Sequence, residues 1–386
     1  MGRPLGNAES YPFPVDIHLY TQVCMRTYSS PMNAVTRPSP LSPQRWLSPA
    51  LFDFWAGKLN PLWTLRQPLA RLVRREPAGE GAVTLVLRTN RHWRGMQPGQ
   101  HVTLGVEIDG RILQRSYSPT EIGPRTLAIT VKVVDGGVVS RHLVQVARVG
   151  TLLQIGPAFG DFHAPGAAPL LLLAAGSGIT PMRSLLRALA RRPLAAPVDL
   201  YYWERSAANF NFREELQALA ASQPALRVHL LATREQGTPV RRVGEVSFDD
   251  LRDAPLAQRH VLACGPDGFV AAARERLQHH VAGFQAEAFT PPASAGGADA
   301  EGTVQVTLAR SGRQLTVPRG RSLLEGLEAN GLAPRHGCRM GICNTCTCTR
   351  ASGATRHLRT GEQQTEPAQP VRICISAPTT DLILDL

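Results

Sequence analysis

The chain has 386 residues, 43% of them hydrophobic, which exceeds one ordinary core and implies two to four domains. No apolar run is long enough to span a bilayer, no signal peptide is recognisable at the N-terminus, and the seven cysteines suggest no disulfide framework, which fits a reducing cytoplasm. The formal charge of +12 comes from arginine, because Lys58 and Lys132 are the only lysines; it is spread out without a nucleic-acid motif, so an acidic protein partner or a phosphate-rich cofactor accounts for it better.

Residues 1–65 read as an N-terminal extension. Pro and Ser punctuate the first 45 residues as in a poorly ordered segment, and Met25 and Met32 offer alternative starts, so translation of residues 1–31 stays open. Ser48-Pro49 reads as an N-cap followed by proline at the first helical position. Leu51, Phe52, Trp55 and Leu59 follow at helical spacing, and Pro61 ends the run. Trp46, Trp55 and Trp63 put three of the five tryptophans here. One reading is a helix packed on the next domain. The other is an interfacial helix that gives residues 46–63 a peripheral membrane contact.

Residues 66–164 change to a strand pattern. Val83, Leu85 and Leu87 alternate, then Val102, Leu104 and Val106, then Leu127, Ile129, Val131 and Val133, with Pro98-Gly99 and Asp109-Gly110 between them. Short alternating strands at this spacing predict a small antiparallel barrel. Arg115-Ser116-Tyr117-Ser118 lies inside it, followed by Gly136-Gly137-Val138-Val139-Ser140 and by Gly156 to Phe162. In this order the segments resemble the ferredoxin–NADP reductase superfamily. The resemblance implies that Arg115 contacts a flavin phosphate, Tyr117 packs on the isoalloxazine and Ser118 lies near flavin N5. It also implies that Gly137, Val138, Val139 and Ser140 receive a pyrophosphate at a helix N-terminus. A guanidinium suits phosphate, an aromatic face suits the ring, and a small hydroxyl reaches N5 without blocking hydride approach.

Residues 165–290 read as a nucleotide-binding domain. Pro169 to Ala175 is a continuous apolar run, as in a buried parallel strand. Gly176-Ser177-Gly178-Ile179-Thr180-Pro181 follows, and Met182, Leu185, Leu186 and Leu189 make a helical stripe. Strand, glycine turn and helix start are the parts of a dinucleotide phosphate site, so Gly176, Gly178, Thr180 and Pro181 are candidates. Val198 to Trp203 predicts the next strand, and a helix carrying Phe212, Leu216 and Leu219 follows. Beyond Trp203, a carboxylate at Glu204 would favour a ribose hydroxyl, whereas Arg205 with Ser206 favours a 2′-phosphate and tips the reading to NADPH over NADH. Cys264-Gly265-Pro266 matches the superfamily's C-G-P turn, which implies that Cys264 sits beside the nicotinamide; a buried structural thiol is the alternative. Phe289 is the candidate aromatic lid on the flavin. The alternation of strands and helices predicts a doubly wound α/β sheet.

Residues 291–302 are rich in Gly, Ala and Pro and read as a flexible tether. Residues 303–386 then show paired short strands, a capping box at Ser322-Leu-Leu-Glu325 and a stop at Gly331. Cys338, Cys343 and Cys346 follow at C-x4-C-x2-C spacing, with Cys374 alone further on. That is the ligand pattern of a plant-type [2Fe–2S] ferredoxin. The rival, a four-cysteine zinc site, would use two C-x-x-C pairs. The pattern resembles a ferredoxin β-grasp. Cys348 reads as a neighbour of the cluster, not a ligand.

The resemblance covers roughly residues 66–386. It implies an NAD(P)H-dependent oxidoreductase that passes a hydride to FAD, with FMN as the alternative, and then single electrons through the cluster to a partner. Ser118 and Cys264 are its catalytic candidates. The chain carries no oxygenating site of its own, so the expected acceptor is a membrane fatty-acyl desaturase or hydroxylase. The alternatives are a soluble aromatic or amine oxygenase, and a non-enzymatic iron–sulfur sensor. The expected location is cytoplasmic, at the inner face of the membrane if the aromatic helix docks there. The oligomeric state is not legible.

Overall fold

The computed structural model describes residues 49–60, 62–65, 67–235, 242–246, 248, 251, 253–289 and 301–386. Cys24, Met25, Met32, Trp46 and the Ser48 cap lie outside the described residues, as does most of the predicted tether. The first element, α1, is Pro49–Leu59. Asp53 accepts from Thr64 Oγ1 at 3.0 Å and from the Leu65 amide at 2.7 Å, pinning the helix to the loop after it. Trp55 and Leu59 are 59% and 81% exposed, so these two positions of the predicted apolar face do not pack on the next domain.

A seven-stranded antiparallel sheet follows, in the order β4-β3-β7-β1-β2-β6-β5. Its strands are β1 (Leu69–Pro77), β2 (Ala82–Thr89), β3 (Val102–Ile108), β4 (Arg111–Tyr117), β5 (Thr120–Gly123), β6 (Thr126–Lys132) and β7 (Leu152–Ile155). The period-2 pattern sends Leu85, Leu87, Leu104, Leu127 and Ile129 into one apolar core, as the predicted barrel requires. A short helix, α2 (Val138–Arg141), lies between β6 and β7.

The second sheet is parallel, in the order β10-β9-β8-β11-β12. It comprises β8 (Leu170–Ala175), β9 (Val198–Glu204), β10 (Leu226–Ala232), β11 (His260–Gly265) and β12 (Gly283–Ala288). Every residue of β8 is buried, as expected of a central strand covered on both faces. The strand order reverses between β8 and β11. Their C-terminal ends carry Gly176–Gly178 and Gly265-Pro266, so both sequence motifs meet at the topological switch point where such sheets bind ligands. Helices α3 (Ile179–Leu189), α4 (Arg213–Ser222) and α5 (Asp267–Leu277) flank the sheet. Phe212 is not in the helix predicted to carry it. It precedes α4 with φ 62°, and the Arg183 guanidinium stacks on its ring at 4.2 Å.

The C-terminal unit has a five-stranded sheet, β14-β13-β20-β15-β18, and a three-stranded one, β17-β16-β19. The strands are β13 (Thr303–Leu308), β14 (Gln314–Pro318), β15 (Thr347–Ser352), β16 (Thr355–His357), β17 (Gln363–Gln364), β18 (Gln369–Arg372), β19 (Ser376–Pro378) and β20 (Leu382–Asp385). Helix α6 (Leu323–Ala329) is capped as its sequence demands, Ser322 Oγ accepting from the Glu325 amide at 3.2 Å. The four sheets together are the predicted barrel, doubly wound domain and β-grasp.

Candidate functional site

The end of β4, the turn after β6 and the start of α2 surround a cavity of about 440 Å³. Arg115, Tyr117, Ser118, Gly137, Val139 and Ser140 line it with Phe289, so the residues singled out for a flavin converge. Gly137 fits only as glycine: a Cβ there would stand 2.9 Å from the Val134 carbonyl. Ser140 Oγ donates to Gly137 O and accepts from Val134 N, both at 3.2 Å, which closes the turn. Val138 points outward and is exposed. Burial raises the Tyr117 hydroxyl above the ordinary tyrosine range and keeps it neutral. The Arg115 guanidinium is lowered by burial and then by the charge of Arg339, which reaches the same cavity from the C-terminal unit. Arg115 and Lys132 on the cavity lining suit an anionic phosphate, while Arg339 is held by Glu328 at 2.6 and 2.9 Å. The donor set and the cavity therefore fit a flavin nucleotide.

Behind Ser118 lies an arrangement that sequence reasoning missed. His101, just before β3, places Nδ1 3.1 Å from Ser118 Oγ. Its Nε2 lies 2.6 Å from Glu287 Oε2 on β12. The second pair is a close polar contact, not an aligned hydrogen bond. Both side chains are buried, and the rings of Phe159 and Phe289 pack edge-on against the imidazole at 5.8 and 5.9 Å. Nothing in the spacing of residues 101, 118 and 287 announces this chain. The one available signal was Glu287 standing two residues before the candidate lid.

On the nucleotide side, Ser177 and Thr180 open onto the same cavity. Thr180 Oγ1 donates to Ser177 O at 3.0 Å. Gly176 takes φ 57°. Gly178 packs so close to β11 that a Cβ would collide with the Cys264 carbonyl. Pro181 is buried in the first turn of α3. The close approach joins the Gly176–Pro181 turn to the Cys264-Gly265-Pro266 turn. Cys264 is fully buried, and burial followed by the Glu287 charge pushes its thiol well above the usual range, so it is an uncharged group there. Phe289 is tied to this turn by its amide, which donates to Gly265 O at 2.9 Å.

Glu204 and Arg205 part ways. Glu204 is buried, accepts from Tyr202 Oη at 3.1 Å and lies 3.9 Å from Lys132 Nζ. Burial raises its pKa, with Lys132 opposing. Its carboxylate is thus engaged inward, while Arg205 is exposed and Ser206 accepts from Asn209 Nδ2 at 3.1 Å. The Arg234 amide donates to Arg205 O at 2.8 Å, which sets a second exposed arginine beside the first. Arg234 was missed because it lies one strand later in sequence.

The four candidate ligand cysteines come together as two pairs. A thiol contact from Cys338 pulls Cys343 down to about 5, and one from Cys374 pulls Cys346 down to about 7. Backbone amides point at the sulfurs: Cys338 N lies 3.2 Å from Cys343 Sγ, and Met340 N and Cys343 N lie 3.3 and 3.4 Å from Cys338 Sγ. A Cβ on Gly337 would come within 2.9 Å of Cys343 Sγ. Among the described residues, no three His, Cys, Asp or Glu side chains are grouped as ligands of a single ion. Two thiol pairs ringed by amides fit a two-iron cluster better than mononuclear zinc. Cys338, Arg339 and Met340 also line the flavin-sized cavity, so the cluster loop and Tyr117 share one space.

Three family models match the chain in succession. They are an oxidoreductase FAD-binding domain over residues 70–163, an oxidoreductase NAD-binding domain over 172–275 and a 2Fe-2S iron-sulfur cluster binding domain over 306–379. An NADPH oxidoreductase of Mycobacterium tuberculosis is 37% identical over 362 residues, covering 89% of this chain and 90% of that one. The ferredoxin reductase component of a 3-ketosteroid-9-alpha-monooxygenase from the same species is 34% identical over 309 residues, covering 74% and 84%. Among solved structures, phthalate dioxygenase reductase superimposes with a TM-score of 0.57 at 23% identity, over 82% of this chain and 97% of that one.

Proposed function

The chain belongs to the flavin reductases of the ferredoxin–NADP reductase superfamily that carry a C-terminal [2Fe–2S] domain, and from that premise we propose that it draws electrons from NADPH and delivers them to a soluble oxygenase component. It is an oxidoreductase built for FAD, a nicotinamide nucleotide and a [2Fe–2S] cluster. The observation that carries the reading is the shared cavity, in which Tyr117, Ser118 and Phe289 face Cys338 and Met340. A flavin held there would supply hydride acceptance and one-electron release, as the cluster requires.

The chain's own residues position and insulate this transfer. Tyr117 offers the face on which the ring stacks, and Arg115, with Gly137 to Ser140, takes the phosphates. Ser118 Oγ holds a proton beside the reacting face, and its hydrogen bond with His101 Nδ1 orients it. Phe289 and buried Cys264 exclude water where the nicotinamide enters. NADPH is favoured because Arg205 and Arg234 stand together at the ends of β9 and β10 while Glu204 is engaged inward. Cys338, Cys343, Cys346 and Cys374 would hold the cluster.

A named relative is part of a monooxygenase system, so the soluble oxygenase replaces the desaturase as the leading acceptor. Among the described residues no helix is long and apolar enough to cross a membrane. Trp55 and Trp63 remain exposed and bear on where the acceptor docks. Anaerobic titration with NADPH, then NADH, tests the reading. Bleaching of both flavin and iron–sulfur bands by NADPH at lower concentration supports it. Absence of bleaching with either nucleotide removes it and revives the iron–sulfur sensor.

A further inference from the structure

Arg359 belongs to the C-terminal unit, between β16 and β17, yet its guanidinium is spent on the nucleotide-binding domain. Nε lies 3.2 Å from Asp267 Oδ1, and Nη2 donates to Ala288 O at 3.4 Å. Asp267 is the first residue of α5, directly after the Cys264-Gly265-Pro266 turn. Ala288 stands between Glu287 and Phe289, so one side chain grips both strand ends that frame the nicotinamide entrance.

The arm that presents Arg359 is rigid on the cluster side. His357 Nδ1 accepts from the amides of Arg359 and Thr360, each at 3.2 Å. The Leu358 amide donates at 2.8 Å to the carbonyl of Ile375, the residue after Cys374. Beside it a cleft of about 510 Å³ remains, lined by Asp267, Val270 and Ala271 from one domain and by Met340, Ile342 and Ile375 from the other. The cleft leaves little apolar packing next to the pair, so this mostly buried charged contact is what joins the two domains at that point. The Arg359 side chain is 19% exposed and that of Asp267 30%, which protects the pair from full solvent screening.

We propose that Arg359 is the latch that holds the cluster domain against the flavin, a positioning residue for transfer from flavin to cluster. The proposal rests on the electron-transfer reading above. Arg359 joins Ala288, beside the candidate lid, to the turn beside Cys374. Transfer between the two centres falls with their separation, so a cluster domain released from its seat passes electrons more slowly.

The test uses the full-length holoprotein with three variants: Arg359→Glu, Asp267→Asn, and Arg359→Glu combined with Asp267→Arg. Asp267 lies outside the cluster domain, so Asp267→Asn reads the latch even if Arg359→Glu assembles its cluster poorly. Stopped-flow mixing with NADPH follows flavin and cluster bleaching separately, and X-ray scattering gives the radius of gyration. Unlatching leaves flavin bleaching at the parent rate, slows cluster bleaching severalfold or more and enlarges the particle. The double variant recovers both the rate and the size. Parent-like cluster bleaching and an unchanged radius in Asp267→Asn overturn the latch. So does slow bleaching with no change in size, which would place Arg359 in another role. If the parent protein itself fails to bleach with NADPH, the electron-transfer reading has failed, and scattering alone still decides the latch.

Discussion

His101 and Glu287 meet at 2.6 Å across the seam between the flavin barrel and the nucleotide-binding sheet, and the other nitrogen of the same imidazole reaches Ser118. The two domains therefore share a buried polar chain that ends at the face where a hydride would arrive. Replacing one member strands the other in an apolar surround, which costs more than the contact itself is worth. His101→Gln and Glu287→Gln keep the approximate volume and polarity while changing the groups that orient the Ser118 hydroxyl. Each is expected to slow flavin turnover by about 10²-fold with little change in NADPH affinity. Stopped-flow rates in water and deuterium oxide check this. Unchanged rates with an unchanged solvent isotope effect would assign the pair a purely structural role.

In the proposed site Tyr117 would give the flavin a stacking face and Arg115 a phosphate grip. Tyr117→Ala removes the face and Arg115→Ala the charge. Each is expected to weaken FAD binding at least about tenfold, on the scale of one buried aromatic or one charge-assisted pair. Flavin retention after gel filtration and fluorescence titration of the stripped protein measure it.

Arg205 and Arg234 are adjacent through the 2.8 Å backbone bond that joins their strand ends. Both Arg205→Ala and Arg234→Ala should raise KM for NADPH, by about tenfold or more, and leave NADH nearly untouched. Steady-state kinetics with both nucleotides decide. Equal effects on the two would remove the 2′-phosphate assignment.

Cys348 lies on β15, two residues after Cys346, and belongs to neither of the two thiol pairs. Cys348→Ala should keep about two irons per chain and the iron–sulfur spectrum, whereas Cys374→Ala should lose both. Iron and sulfide analysis is the readout. Loss of the cluster in Cys348→Ala would make it a ligand after all.

Glu204 carries a pH signature. Burial raises its pKa in the folded protein, and Lys132 offsets only part of that. Between the ordinary carboxylate value and the raised one, the folded state binds more proton than the unfolded state. The contribution of Glu204 to stability therefore falls as pH rises through that window, and the penalty is complete above the folded pKa. Glu204→Gln keeps an acceptor for Tyr202 and cannot ionise. Its melting temperature relative to the parent should be higher at pH 8 than at pH 5. A difference independent of pH would mean that the carboxylate is not desolvated.

Much of this protein was legible in one dimension because its signals are local. The Cys338–Cys346 loop, the Gly176–Pro181 turn and the Ser322 cap are set by spacing and by residues with restricted backbone choices. The seven-stranded antiparallel and parallel sheets follow from alternating and continuous apolar runs. Phe212 was misplaced because helical periodicity does not reveal a left-handed residue at the helix start, where Arg183 stacking decides. His101, Arg234, Lys132 and Arg359 acquire their partners only when strands far apart in sequence are brought together. The sequence by itself determined which chemical groups the chain carries and the order in which they are strung. Tertiary structure decided which of them meet, because pairs such as His101 with Glu287 and Arg359 with Asp267 arise from domain packing, and no local pattern encodes a distance between domains.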